Sequence, residues 1–482
     1  MASKRIPAVA APWGHVPDQV GHVGARAAVR AFRAGSPRLT AILDDDPTGS
    51  QSVRQVQIVT SLTQEDYRSA LSSGACFVLT NSRSCSAAQA AEVVEQVAND
   101  LFAVAAEANH PIEIVSRSDS TLRGHILPEV RALDRARMHA LGRGFDAVIL
   151  APAFIEAGRV TVGDVHWAST EGGFRPVSDT EFARDPVFAY RSAHLRDFLV
   201  ERGGGELSPE QVTSLSLVDI REHGPQRVAD VISTAPSGGF VIINALDYSD
   251  LEIVALGALL AERDGASLLY RTGPSFVRAL LGQDSSTPLA EKHIWPTGRP
   301  GGYGLIVAGS HVGRTTRQLA ALQALGGWSA VELDVPAFLG MDGPAADQYV
   351  AKLASEVCEL LGEGDVVVYT SRALVRAADL DDLEIARRVS AGLSSVVRLA
   401  LRAQPEWVLA KGGITSHDVA VHGLGMRRAE VVGQFFPGMV SMMRPISASP
   451  AAVGRPYVVF AGNVGDDNAL ADVARRMRGT NR

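Results

Sequence analysis

Three successive carboxylates, Asp44, Asp45 and Asp46, stand between the apolar run LTAIL at 39–43 and the turn formers Pro47, Thr48 and Gly49. A short buried strand that ends in acids and a glycine turn is how an open α/β sheet offers polar groups at its carboxyl edge, where ligands bind. A solvated turn accounts for Asp, Pro and Gly as well, but three adjacent like charges are costly to hold together without a cation or hydrogen-bond donors. A second cluster, SRSDSTLRGH at 116–125, also follows an apolar run and gathers Asp119, Ser120, Thr121, Arg123 and His125. That mixture suits a polyhydroxylated anion, because Arg grips a carboxylate in a fork while Asp accepts from hydroxyls. Its plain alternative is an N-cap at Asp119 or Ser120 beside surface arginines. TNSRS at 80–84 adds Arg83 as another cation for a carboxylate. The stretches 151–166, with Gly158 and Arg159, and 180–186, with Glu181 and Asp185, read first as ordered loops.

The C-terminal half carries a different chemistry. GSHVGRTT at 309–316, KGGITSHD at 411–418 and AGNVGDD at 461–467 each follow an apolar run with a glycine-containing polar turn. Glycine lets backbone N–H groups approach an anion, and a helix opening behind it adds the positive end of its dipole. Turn geometry explains any one of these; three along one sheet edge could cradle a polyphosphate. GxxxxGK[ST] is absent, and no GxGxxG opens a helix after a strand, so neither a P-loop nor a dinucleotide fingerprint is present. An acid- and hydroxyl-binding half beside a phosphate-binding half points to phosphoryl transfer, a reaction that needs alignment, charge neutralisation by Mg²⁺ and a carboxylate near the attacking hydroxyl.

Both clusters need a scaffold that ends strands side by side. The runs at 76–80, 111–116, 146–151 and 240–246 alternate with helical patterns such as 87–106, and a second series at 305–310, 366–371, 407–413 and 457–463 includes a long helical pattern over 382–402. Such alternation predicts an α/β fold of two domains, each with a largely parallel sheet flanked by helices and with the active site in the cleft between them. Residues 1–35 read as an N-terminal extension with a short helix near 26–33, residues 36–282 as the first domain, 283–303 as a Ser-, Pro- and Gly-rich linker, and 304–482 as the second domain. The length of 482 residues fits two large domains.

A net charge of -7 without a dense Lys/Arg block argues against nucleic-acid or anionic-membrane partners. No apolar run is long enough to span a bilayer and no secretory core is visible, so a cytoplasmic protein is expected. Three cysteines without CxxC predict reduced, mostly packed thiols, and scattered His residues without HExxH or paired helical spacing argue against a His-based metal site.

Taken in order, DDDPTG, RSDSTLRG, APAF with the following GR, SDTEFARDP, KGGIT and AGNVG resemble the four-carbon acid sugar kinases over roughly residues 39–475. The resemblance implies a sugar-acid-binding N-terminal domain, a nucleotide-binding C-terminal domain, and ATP-dependent phosphorylation of a compound such as threonate, erythronate or a 3-oxo-tetronate. It further implies Ser310, Gly412, Gly413, Ile414, Thr415 and Gly462 as nucleotide contacts. Asp45, together with Asp46, Arg83 and Asp119, falls where the resemblance places substrate contacts. Asp45 or Asp119 is then expected to orient or deprotonate the substrate hydroxyl and Arg83 or Arg123 to hold its carboxylate, with Thr48, Gly49, Ser120 and Thr121 also expected around the acid. Mg²⁺ is expected with unassigned ligands, and a homodimer is left open. The chain departs from the family pattern at Pro47, where Phe is usual, at Arg117, where Lys is common, at Ile414, where Glu is frequent, and at His311, where a small residue is common.

Two other readings compete. Asp44, Asp46 and Thr48 fit the DxDxT pattern of phosphohydrolases with a nucleophilic Asp. The departures at Pro47, Arg117 and Ile414 also fit a non-catalytic protein that binds a nucleotide or a sugar acid.

Overall fold

The computed structural model describes residues 12–18, 24–46, 52–170, 172–285, 287–298, 301–309, 313–372, 382–462 and 464–478. The chain divides into two compact units, Met1–Ser52 with Leu62–Ser285 and Val53–Ser61 with Ser286–Arg482. Both are α/β, with largely parallel sheets flanked by helices, as the alternation of runs predicts.

In the first unit seven parallel strands lie in the order Ala75–Leu79, Leu39–Asp44, Ile112–Arg117, Leu268–Thr272, Ala147–Ala151, Gly239–Ile243 and Val212–Leu215. Strand Leu39–Asp44 is buried at every position, which is the signature of a parallel strand covered on both faces. Helix Ala87–Ala108 shows how the cover is specified. A capping box between Ser86 and Gln89 starts it, Asn109 in the left-handed region (φ 54°) ends it, and Ala90, Val94, Val97, Ala98 and Leu101 form its buried stripe. Each buried Val or Leu there contributes about 1.5–3 kcal/mol, so one charged residue at Leu101 would undo the packing. The chain runs from Leu39–Asp44 to a neighbour on one side, Ala75–Leu79, and then to the neighbour on the other, Ile112–Arg117. The carboxyl ends of the first and third of these strands therefore flank a topological switch point, where open α/β sheets bind ligands. A three-stranded antiparallel sheet, Arg159–Val162, Val165–Thr170 and Gly173–Pro176, is added to this unit.

The expected N-terminal helix spans Ala25–Gly35 and belongs to the first unit. Its arginines fasten it there: Arg26 donates to Glu252 (2.7 Å) and Arg33 to Glu113 (2.8 Å).

In the second unit the parallel strands Trp328–Leu333, Asp365–Thr370, Gly304–Ala308, Trp407–Lys411 and Tyr457–Phe460 are followed by three antiparallel ones, Met439–Ser447, Arg428–Phe436 and Gln57–Val59. The last is contributed from the N-terminal half of the sequence. Here too the switch point lies between the first strand of the series, Gly304–Ala308, and Trp407–Lys411. Most of the Ser-, Pro- and Gly-rich segment at 283–303 falls within this unit, and Leu289, Ile294 and Trp295 are buried with Trp407, Phe435 and Phe460. All three cysteines are unpaired, and burial pushes the Cys76 thiol up to about 12. No helix among the described residues is long and apolar enough to cross a membrane.

Candidate active site

At the switch point of the first unit the two N-terminal motifs meet. Strand register sets Asp44 opposite Arg117, so the DDD sequence and the SRSDST sequence leave their strands side by side. Asp44 is fully buried and its Oδ1 accepts from Arg117 Nη1 (2.8 Å) and from the backbone N–H of Asp46 (3.1 Å). Its Oδ2 has no partner among the described residues, and burial, only partly offset by Arg117, pushes its pKa up to about 7. The Arg at position 117 thus compensates a buried acid.

Asp45 is nearly as buried, and Arg83 holds it in a fork, Nη2 to Oδ1 at 2.6 Å and Nε to Oδ2 at 3.2 Å. Arg83 also reaches Asp46 through Nη1 (3.0 Å). Burial raises the Asp45 pKa despite the Arg83 guanidinium, while the same carboxylates hold Arg83 firmly charged. Asn81 adopts the left-handed conformation (φ 51°) that starts the short helical turn carrying Arg83.

Asp119 behaves in the opposite way. Burial alone would raise its pKa, but Arg83 and Arg123 outweigh it and keep the carboxyl well below the usual range. Arg123 Nε donates to it at 2.8 Å, and the Thr121 hydroxyl donates to the same oxygen. Arg123 continues to Asp185 (3.4 Å) and lies over the Phe182 ring, 5.3 Å from its centroid, which brings the SDTEFARDP stretch to the site. Neither Asp119 nor Ser120 caps a helix; the following helix, Ile126–Leu141, starts at His125.

Residues that motif reading did not single out fix this turn. His166, wholly buried, donates from Nε2 to the Ser120 carbonyl (2.8 Å) and accepts at Nδ1 from Thr161 (2.9 Å); burial lowers its pKa to about 4, so it stays neutral. The Tyr190 hydroxyl donates to the Thr121 carbonyl (2.8 Å). Beneath lies a buried pair, Arg271 with Glu129, joined by Ser116 and Ser82. Gly124 sits at φ 117°, and a Cβ there would stand 3.1 Å from Asp45 Oδ2. These residues come from strands, helices and loops scattered along the first unit, so no local pattern marks them; the glycine beside an Arg-rich turn was the visible signal.

In the second unit the three glycine turns come together. Ala308 pairs with Lys411 and Lys411 with Phe460, which sets the turns after these strands in one row. Gly309 donates to the Lys411 carbonyl (3.3 Å), and a Cβ on it would overlap the Thr415 hydroxyl, so two turns approach as closely as glycine allows. Gly412, at φ 123°, needs the freedom of glycine, but its N–H is taken by the Phe460 carbonyl (2.9 Å). Helix Gly413–Asp418 begins at the next residue. Ser416 is the first to donate back, to Gly412 (2.9 Å), so the N–H groups of Gly413, Ile414 and Thr415 head the helix without intrahelical acceptors. Ile414 projects its side chain into solvent at 45% exposure, and Thr415 is buried. Lys411 Nζ donates to the carbonyls of Ala461 (2.8 Å) and Gly462 (3.0 Å), tying the KGG and AGN turns together. Thr315 Oγ1, in the first turn of helix Gly313–Ala324, is buried without a partner among the described residues.

Thr48, Gly49 and Ser310, with Pro47 and His311, lie outside the described residues. Asp45, Asp46, Arg83, Ser120, Thr121, Arg123 and Asp119 gather in the first unit, and Gly412, Gly413, Ile414, Thr415 and Gly462 in the second. Among the described residues no group of three or more His, Cys, Asp or Glu could hold a metal ion.

Comparison with known proteins agrees with this division. The family model described as a sugar-binding N-terminal domain matches residues 40–280, and the one described as a nucleotide-binding C-terminal domain matches 305–470. The chain is similar to a D-threonate kinase of Bordetella bronchiseptica, 28% identical over 409 residues, covering 83% of this chain and 85% of that protein. It is also similar to a D-erythronate kinase of Heliobacterium modesticaldum, 26% identical over 337 residues, covering 67% and 69%. A solved structure from Salmonella typhimurium shares the fold at a TM-score of 0.64 and 18% identity, over 90% of this chain and 98% of that one.

Proposed function

The chain belongs to the four-carbon acid sugar kinase family, and from that premise we propose that it transfers the terminal phosphoryl group of ATP to a hydroxyl of a four-carbon sugar acid such as threonate, erythronate or a 3-oxo-tetronate. The observation that carries this reading is the cluster of Asp45, Arg83, Asp119 and Arg123 at the switch point of the first unit.

Asp45 is the better base of the two acids. Burial raises its pKa towards the operating pH, which favours proton abstraction from a hydroxyl, whereas Asp119 is locked by Arg123 and Thr121 as a weak base that orients the acceptor. Arg83 aims Asp45 through its fork.

The second unit has features that fit a nucleotide. The N–H groups of Gly413, Ile414 and Thr415, which have no intrahelical acceptors, and the Thr315 hydroxyl, unpartnered among the described residues, are donors suited to phosphate oxygens; Gly309 lets two of the turns approach closely, and Gly462 lies at the third. ATP supplies the phosphoryl group when bound. Mg²⁺ would come on its phosphates, since that ion is commonly held by phosphates and water with one or two carboxylates.

A DxDxT hydrolase would need Asp44 to face a phosphate, yet Asp44 is fully buried and ion-paired to Arg117. A coupled assay for ADP across four-carbon acids and their 3-oxo forms tests the proposal. Acid-dependent ADP formation is the expected result. Phosphate release without ATP would instead favour the hydrolase, and tight binding of both ligands without product would favour a non-catalytic protein.

A further inference from the structure

We propose that Arg159 is the residue that grips the carboxylate of the substrate, the role that Arg83 and Arg123 would have by sequence alone. The inference rests on the sugar-acid kinase reading and narrows it to a short polyhydroxy carboxylate bound by its acid end.

Three arginines converge on the turn at 119–123, and two of them are already paired. Arg83 serves Asp45 and Asp46, and Arg123 serves Asp119 and Asp185. Arg159 opens the strand Arg159–Val162 and sends Nη1 to the Ser120 hydroxyl (2.9 Å). Its guanidinium lies over Phe182, 5.4 Å from the centroid, and over Phe154 at 6.0 Å. Phe182 is the same ring that Arg123 covers, so the two cations stand beside one another next to Asp119. No Asp or Glu among the described residues comes within ion-pair distance of Arg159, and burial, only partly offset by the more distant Asp119, lowers its pKa. Cation–π contacts offset only part of such a desolvation penalty. A guanidinium has five donors in a fixed fork, and among the described residues one acceptor engages them, so a carboxylate can complete both its charge and its hydrogen bonding.

The contact is also held rigidly. His166 fixes the Ser120 carbonyl and Thr161 orients His166, so the hydroxyl that Arg159 reaches cannot drift. An acid seated on Arg159 would extend its hydroxyls along the turn that carries Asp119 and Ser120. The competing role for Arg159 is a brace between Ser120 and the two phenyl rings, which would affect stability without discriminating charge.

Calorimetric titration of the full-length protein with threonate and with its uncharged carboxamide separates the two roles, using wild type, Arg159→Met and Arg159→Lys, with ADP binding as the check that each variant is folded. Loss of a charge-assisted hydrogen bond should weaken threonate binding about 10- to 100-fold in Arg159→Met and leave carboxamide binding unchanged. Arg159→Lys, which keeps the charge but loses the fork, should fall about 10-fold and keeps the test valid where the Met variant does not fold. An unchanged preference for acid over carboxamide in the Met variant, or wild-type threonate affinity in the Lys variant, overturns this inference alone. A wild type that neither binds nor phosphorylates any four-carbon acid overturns the kinase reading and this inference with it.

Discussion

Lys411 offers a quantitative test of how the nucleotide-side turns are built. Its ammonium is buried between the Ala461 and Gly462 carbonyls, 4.1 Å from the Phe460 ring centroid, with no carboxylate partner among the described residues. Burial, helped by Arg314, lowers its pKa from 10.5 to about 7. At about 1.4 kcal/mol per pH unit, that displacement is on the order of 5 kcal/mol of stability withheld while the group is charged. The folded value lies below the unfolded one, so between about pH 7 and pH 10 the unfolded chain binds a proton that the native state has released. Stability therefore rises with pH across that window, and below pH 7 the full penalty is present. Lys411→Met keeps the aliphatic bulk against Phe460 but leaves two carbonyls without their donor, a loss of about 1–3 kcal/mol for each one left unsatisfied. Urea unfolding of both proteins from pH 6 to pH 9.5 should show the wild type gaining on the variant by several kcal/mol as pH rises. Parallel stability profiles would refute the reasoning, because they would mean that the ammonium is not desolvated.

Asp45→Asn should lower turnover by about 100-fold or more while acid binding persists, and the wild-type rate should fall as pH drops through a value above that of an ordinary carboxylate; steady-state kinetics against pH decides this. Asp119→Asn should likewise abolish turnover with the fold intact, and normal turnover would remove Asp119 from the site. Gly124→Ala forces a side chain into a left-handed backbone at φ 117° and towards Asp45 Oδ2, so a stability loss of about 1–2 kcal/mol with a larger loss of rate is expected from thermal melting and kinetics. Gly309→Ala meets the Thr415 hydroxyl and should weaken ADP binding while threonate binding stays at the wild-type level in calorimetry.

Much of the architecture was legible because strands buried on both faces leave continuous apolar runs: LTAIL, DAVILA and VVVYTS became the strands Leu39–Asp44, Ala147–Ala151 and Asp365–Thr370. The hairpin Arg428–Phe436 and Met439–Ser447 was not anticipated, although Pro437-Gly438 between its strands is a turn signal. Strand Gln57–Val59 is only three residues long, and its pairing with Arg428–Glu430 is set by tertiary contact rather than by local pattern. Within the site, acids and arginines clustered in sequence also cluster in space, but their pairing did not follow from spacing. Arg83 crosses to Asp45 because the register of Leu39–Asp44 against Ala75–Leu79 sets the turns after them side by side, and Arg123 turns back to Asp119 within its own turn. His166 and Tyr190 support the turn through its carbonyls, and a backbone acceptor leaves no trace in the sequence.

Transfer of phosphate to a sugar acid can be followed at the phosphorus itself. Phosphorus NMR of the full-length protein with ATP, Mg²⁺ and threonate or erythronate should show the γ-phosphate resonance replaced by a phosphomonoester on the four-carbon acid together with ADP. Conversion of ATP to free phosphate alone, or an unchanged ATP spectrum with every four-carbon acid and its 3-oxo form, would contradict the account.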